Sequence, residues 1–148
     1  IVKAKIMIYT DLTKKALKLC FEAHKEQTDK TGLPYVFHPF HLAEQMDDEI
    51  STVCALLHDV VEDTDTTFED LSAMGFPQEV TDVLKLLTHE KSVPYMEYVK
   101  KISTNPVATK VKIADLRHNS DVTRLNVLDE DMKKRFEKYM QALAILTK

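Results

Sequence analysis

Between Ile50 and Val61 runs a nearly continuous apolar stretch, and near its end an imidazole and a carboxylate stand side by side as His58-Asp59. The stretch predicts a central, buried helix around which the other elements pack. A neutral imidazole and a carboxylate walled in by leucines and valines are costly to bury without partners. Core hydrogen bonds would satisfy such a pair in a purely structural role. Ligation of a divalent cation accounts for the cost better, because the ion supplies the compensating charge.

The rest of the chain reads as helices too. Leu12, Ala16, Leu19 and Ala23 recur at three- and four-residue spacing after Thr10 and Asp11, either of which can cap a helix start. That helix is expected to reach about Thr28, with Gly32 in the turn beyond. Residues 33–38 read as a loop feeding a short helix from Pro39 to about Met46, with proline at its first position. Thr67 caps a short helix that stops at Gly75, and further helices are expected near 77–88, 94–103, 106–119 and 129–147. Residues 107–113 also alternate like a strand, but Pro106 as a first helical residue and apolar spacing continuing to Leu116 favour helix. With 2 Gly and 5 Pro in 148 residues, a turn-dense β-sandwich is disfavoured. The expectation is one compact all-α domain spanning 1–148, a bundle of about seven to eight helices.

Charge and cysteine usage narrow the function classes. The 24 acidic and 20 basic residues leave a net charge of −4, which lacks the broad positive field of a nucleic-acid binder. A phosphate can still be held locally by a metal ion and a few lysines. Cys20 and Cys54 sit among apolar residues and read as buried thiols in a reducing cytoplasm rather than a disulfide. No stretch approaches a membrane span, and Ile1 to Thr10 lack the apolar run and cleavage site of a signal peptide.

Two ligands do not complete a metal site. His38 precedes the helix-starting Pro39, a fixed place from which an imidazole can point inward, and Asp115 lies on an otherwise apolar helical face. The expected ligands are therefore His38, His58, Asp59 and Asp115. Two nitrogens and two carboxylates suit Mn²⁺, with Fe²⁺ or Zn²⁺ also compatible. Glu62 follows His58 by four residues and Asp63 follows Asp59 by four, so each should lie one turn onward on the same face, able to orient or deprotonate a water. Asn119 follows Asp115 by four and can bond substrate or water; Lys112 precedes it by three and can neutralise a phosphate.

These residues form a recognisable pattern. His38…His58-Asp59…Asp115 resembles the HD-superfamily signature. Three longer stretches resemble the hydrolase domain of the RelA/SpoT homologues: Ala23-His24-Lys25-Glu26-Gln27 with Lys30 to Pro39, then Leu56 to Thr64, then Lys112-Ile113-Ala114-Asp115 with His118-Asn119. The resemblance covers roughly residues 12–125. It implies an HD-type helical bundle and a Mn²⁺-dependent removal of pyrophosphate from the 3′ position of guanosine tetra- or pentaphosphate, without a synthetase domain. It also implies that the matched histidines and aspartates hold the metal while Glu62, Asp63 and Asn119 belong to the catalytic centre. Three departures touch the base-recognition wall. Asp29 stands where the family usually has a basic residue against the guanine, Leu116-Arg117 inverts an Arg-Leu order, and Ser120-Asp121-Val122 replaces a usual Met-Arg-Thr.

Other candidates carry two readings each. Lys25 and Lys30 are phosphate contacts or solvated side chains, and Tyr35 stacks on a base or is a half-buried loop aromatic. His41 reads as a surface or packing residue, His24 as a structural hydrogen-bonding residue, and His89 as a complement to a helix end. Spacing turns His118 away from Asp115 yet leaves it beside Asn119. Turnover of a different nucleotide, a non-catalytic nucleotide or metal sensor, and a helical interaction module are the competing functions.

Overall fold

A computed structural model describes residues 6–125 and 127–148, so residues 1–5 of the N-terminal stretch read above lie outside the description. Nine α-helices and no β-strand occur among the described residues. In chain order they are α1 (Asp11–His24), α2 (Phe37–Glu44), α3 (Glu49–Leu57), α4 (Val60–Asp63), α5 (Phe68–Ala73), α6 (Gln78–Leu87), α7 (Tyr95–Ile102), α8 (Pro106–Asn119) and α9 (Glu130–Leu146). A 3-10 turn, Val122–Arg124, lies between α8 and α9.

Helix α3 is the axis of the bundle, in contact with α1, α2, α6 and α8, while α9 covers α7 and α8 on the far side. Its buried residues run without a gap from Ser51 to Leu57, so it is covered on every side as a central helix must be. Cys20 and Cys54 are both buried and free, as expected, and burial pushes the Cys20 thiol up to about 12.

Local chemistry starts most of these helices where the sequence puts them. The Thr10 side chain caps α1 in a reciprocal box with Thr13, and Thr67 does the same for α5 with Asp70. Asn105 accepts from the Val107 and Ala108 amides at 2.9 and 3.0 Å ahead of Pro106, and α8 follows with the expected bounds. These side-chain acceptors engage amides that the first helical turn leaves without partners.

Three expectations are corrected. The helix predicted to reach Thr28 ends at His24, and the chain then doubles back, with Asp29 N donating to Leu33 O at 2.8 Å and Tyr35 N to Gln27 O at 2.9 Å. Gly32, at φ +85°, makes that reversal possible. The second helix begins at Phe37, so His38 and Pro39 sit inside its first turn rather than at its entrance. Finally, the run from Ile50 to Val61 is not one helix. It breaks at His58-Asp59, where Asp59 takes φ −108°, ψ 1°. The His58 ring explains the break, because Nδ1 donates at 2.7 Å to Ala55 O, a carbonyl that a continued helix would give to the Asp59 amide.

The start of α3 yields a pH test. Asp48 caps it, accepting from Ser51 N at 2.7 Å. Partial burial works against the ionised carboxyl, but the Ser51 bonds and the Lys110 ammonium, 3.3 Å away, outweigh it and hold Asp48 below the ordinary aspartate value. A depressed folded-state pKa contributes stability above the unfolded value and loses it as pH falls through the folded one. Asp48→Ala is therefore expected to cost about 1 kcal/mol in urea unfolding at neutral pH. That gap should close below about pH 4; a pH-independent gap would mean that the charge plays no part.

Candidate metal centre and active site

Four helices deliver the site. His38 comes from the first turn of α2, His58 from the C-terminal end of α3, Asp59 from the start of α4, and Asp115 from the middle of α8. Donor atoms of His38, His58 and Asp115 all lie within 4.8 Å of one another, and all three residues are buried. His38 Nε2 is 2.8 Å and His58 Nε2 3.5 Å from Asp115 Oδ1. Asp59 adjoins the trio through its Oδ2, 3.0 Å from His58 Nε2. The four ligand candidates of the sequence are thus brought together, with Asp59 on the rim.

The donor set fits a cation on an observation at His58. Its Nδ1 donates to Ala55 O, so Nε2 carries the lone pair. That Nε2 is buried and has no hydrogen bond of acceptable geometry, although carboxylate oxygens stand on two sides of it. Burial alone would disfavour a positive charge here. The carboxylates of Asp59 and Asp115 outweigh it and raise the affinity of His58 for a proton well above the ordinary histidine value. A divalent ion answers the same demand without a proton.

Asp115 has a filled surround. It accepts from Asn119 Nδ2 at 3.1 Å and from Lys112 Nζ at 3.0 Å. Burial raises its pKa, but Lys112 and the two histidines reverse that and hold it well below the usual carboxylate range. The Lys112 ammonium also lies 5.3 Å from the centroid of the Tyr98 ring, a cation–π contact. Tyr35 is a half-buried loop aromatic that also reaches the centre. Its hydroxyl donates to Asp59, while its ring packs 4.9 Å from His24 and 5.7 Å from His38. His24 is buried and bonded through Nδ1 to Gln27 at 2.9 Å, the structural role expected of it.

A cavity of about 450 Å³ opens beside the trio, walled by Glu62, Asp63, His89, Lys91, Tyr95 and Lys112 among others. Glu62 and Asp63 reach it despite the helix break, since Asp63 N still donates to Asp59 O at 2.9 Å. Glu62 Oε1 accepts from the His89 backbone N–H at 2.9 Å. Burial, with the charges of Asp59 and Glu62 adding to it, raises Asp63 to about 6. Lys30 lines a second cavity described below. Lys25 is the one predicted residue left apart: its ammonium pairs with Glu22 at 2.8 Å on the exposed side of α1.

His118 and His89 were undervalued in the sequence. His118 Nδ1 lies 2.6 Å from His38 Nδ1, the two rings stack at 4.9 Å, and His41 packs on the other side at 4.3 Å. Burial and the neighbouring His38 lower the His118 pKa to about 3, so its imidazole is uncharged. It follows Asp115 by three residues, a spacing that shares a helix face as well as four does; that signal was available. The role of His89, by contrast, rests on a tertiary bond to Glu62 that no local spacing announces.

No protein-family model matches the chain. The guanosine-3′,5′-bis(diphosphate) 3′-pyrophosphohydrolase of Aquifex aeolicus is 32% identical over 136 residues, covering 84% of this chain and 19% of that protein. The pyrophosphohydrolases called MESH1 from Xenopus tropicalis and Danio rerio are 34% and 38% identical over 118 and 111 residues, covering 70% and 66% of this chain. The chain spans 65% and 61% of those two relatives. A solved metazoan orthologue of SpoT, described as hydrolysing ppGpp, superposes with a TM-score of 0.73 at 24% identity, over 95% of this chain and 88% of that one, and so shares the fold.

The site predicts that Mn²⁺ raises the melting temperature of the purified protein. Replacing Asp115 with Asn or His58 with Ala should abolish the rise, and an undiminished rise in both variants would place the ion elsewhere. With its fold and its sequence relatives in agreement, the chain belongs to the HD-type family that contains the (p)ppGpp pyrophosphohydrolases.

Proposed function

We propose that residues 1–148 act as one HD-type hydrolase domain that removes pyrophosphate from the 3′ position of guanosine tetraphosphate, giving GDP and pyrophosphate. The observation that carries this reading is the convergence of His38, His58 and Asp115 within 4.8 Å, with Asp59 against His58, at a cavity that also holds two further acids and lysine side chains. Two imidazoles and two carboxylates suit Mn²⁺ as the resident ion, and the same donors also accommodate Fe²⁺ or Zn²⁺. When bound, such a cation makes water more acidic and draws negative charge from a phosphate.

The protein groups divide the remaining work. Glu62, oriented by the His89 amide, and Asp63 take the proton from the attacking water. The water oxygen bonds to the phosphorus next to the ribose 3′ oxygen, the bond to that oxygen breaks, and the 3′ oxygen takes up the proton as pyrophosphate leaves. Lys112 offsets charge on the departing group while Asn119 holds Asp115 in place. With a cation held at His38 Nε2, the Nδ1–H would donate to uncharged His118 Nδ1, 2.6 Å away, and so orient the ring. Lys30 and Tyr35 meet the nucleoside side of the substrate, and we assign Lys25 no part in binding. The free thiols suit a cytoplasmic setting.

Pyrophosphate release from guanosine tetraphosphate, assayed with Mn²⁺ against a panel of other nucleotides, tests this reading. Release is expected from the tetraphosphate, lost with a chelator and in Asp59→Ala. Glu62→Gln should retain the metal and turn over roughly a hundredfold more slowly. Parental activity in Glu62→Gln would remove the base role from Glu62. Turnover of another nucleotide alone would keep the centre and replace the substrate, and bound metal without any turnover would favour a sensor.

A further inference from the structure

A second cavity, about 330 Å³, adjoins the metal centre and shares Tyr35 and Asn119 with its surroundings. Its walls combine aromatic rings from α9, Phe136 and Tyr139, with the cations Lys30, Arg124 and Arg135. Flat apolar faces set among guanidinium groups suit a planar, hydrogen-bonding ring rather than a second phosphate.

Arg124 differs from the other two cations in being held. Its Nη1 donates to His118 O at 2.7 Å and its Nη2 to Asp29 Oδ2 at 3.4 Å. Both partners of the ion pair are largely covered, with 21% of the Arg124 side chain and 15% of that of Asp29 exposed. Two bonds to one rigid guanidinium fix its plane, which a lysine could not reproduce. Asp29 is equally committed. Its Oδ1 accepts from Thr31 N at 2.8 Å, Thr31 Oγ1 at 2.6 Å and Leu33 N at 3.1 Å. The carboxylate therefore ties the 29–33 turn and anchors Arg124; it does not face the cavity as a free anion.

We infer that Arg124, held by Asp29, is the specificity-determining residue that stacks on the purine base of the nucleotide whose phosphates lie at the metal centre, an inference that rests on the hydrolase reading above. The 3-10 turn thus provides a cationic wall tied through Asp29 to the loop that carries Lys30. Asp29 makes that wall usable by fixing the orientation of the guanidinium.

The test is calorimetric binding of two probes, guanosine 5′-diphosphate and ribose 5-diphosphate, to the Mn²⁺-loaded chain. The two differ only in the base, so their affinity ratio isolates its contribution. The parent is expected to prefer the nucleotide. Arg124→Ala should cut that preference about tenfold while leaving ribose 5-diphosphate affinity unchanged. Arg124→Lys, which keeps the charge, should recover little of it, and Asp29→Asn, which keeps the turn acceptor, should fall between. No preference in the parent, a preference that survives Arg124→Ala, or full recovery in Arg124→Lys would each overturn the inference. Failure of the hydrolase reading appears separately, as no pyrophosphate released by the parent from guanosine tetraphosphate.

Discussion

A carboxylate only 6% exposed, as Asp115 is, has to be matched by protons or by other positive charge before the surrounding core can close. Here the match comes from three directions. Lys112 approaches along the same helix, His38 from α2 and His58 from the end of α3. Their convergence brings α2, α3 and α8 together at one point, and α3 in turn organises the bundle. The same concentration of acid and imidazole that must be neutralised for folding leaves the buried Nε2 of His58 without a hydrogen-bond partner. Stability and chemistry thus meet in one requirement, a cation between buried donors.

The break at His58-Asp59 is what makes the site usable. In a continuous helix, adjacent residues project about 100° apart, and His58 and Asp59 would diverge. By giving its Nδ1–H to Ala55 O, His58 ends α3 and lets Asp59 start α4, where its carboxylate comes back to 3.0 Å from His58 Nε2. Tyr35 then anchors Asp59 from the 25–36 loop, so that loop, α3 and α4 are tied at the centre. The cavity with Glu62 and Asp63 lies on one side of this knot, and the slot with Arg124 on the other.

Much of this was legible in the sequence because it is encoded locally. Thr10 and Thr67 mark helix starts through capping groups within three residues, Pro106 marks one as a first helical residue, and the buried His-Asp pair exposes its cost by composition alone. The two halves of the ligand set could be matched only because each lies in an otherwise apolar segment. What was not legible depends on contacts distant in sequence. Periodicity extended α3 through His58, since the bond that stops it replaces a helical one without altering the apolar pattern. Asp29 read as a damaged base wall because Arg124, 95 residues away, is invisible to local inspection. His118, left open by spacing, is placed by its contacts with His38 and His41, 80 and 77 residues away in the chain.

The proposed hydrolase function requires that His38, His58, Asp59 and Asp115 jointly hold one divalent ion. Anomalous diffraction from Mn²⁺-soaked crystals, recorded above and below the manganese absorption edge, tests it most directly. A single strong peak is expected within coordination reach of a nitrogen or oxygen of each of the four side chains. A peak away from His58 Nε2, or no peak at a Mn²⁺ concentration that supports turnover, would contradict it.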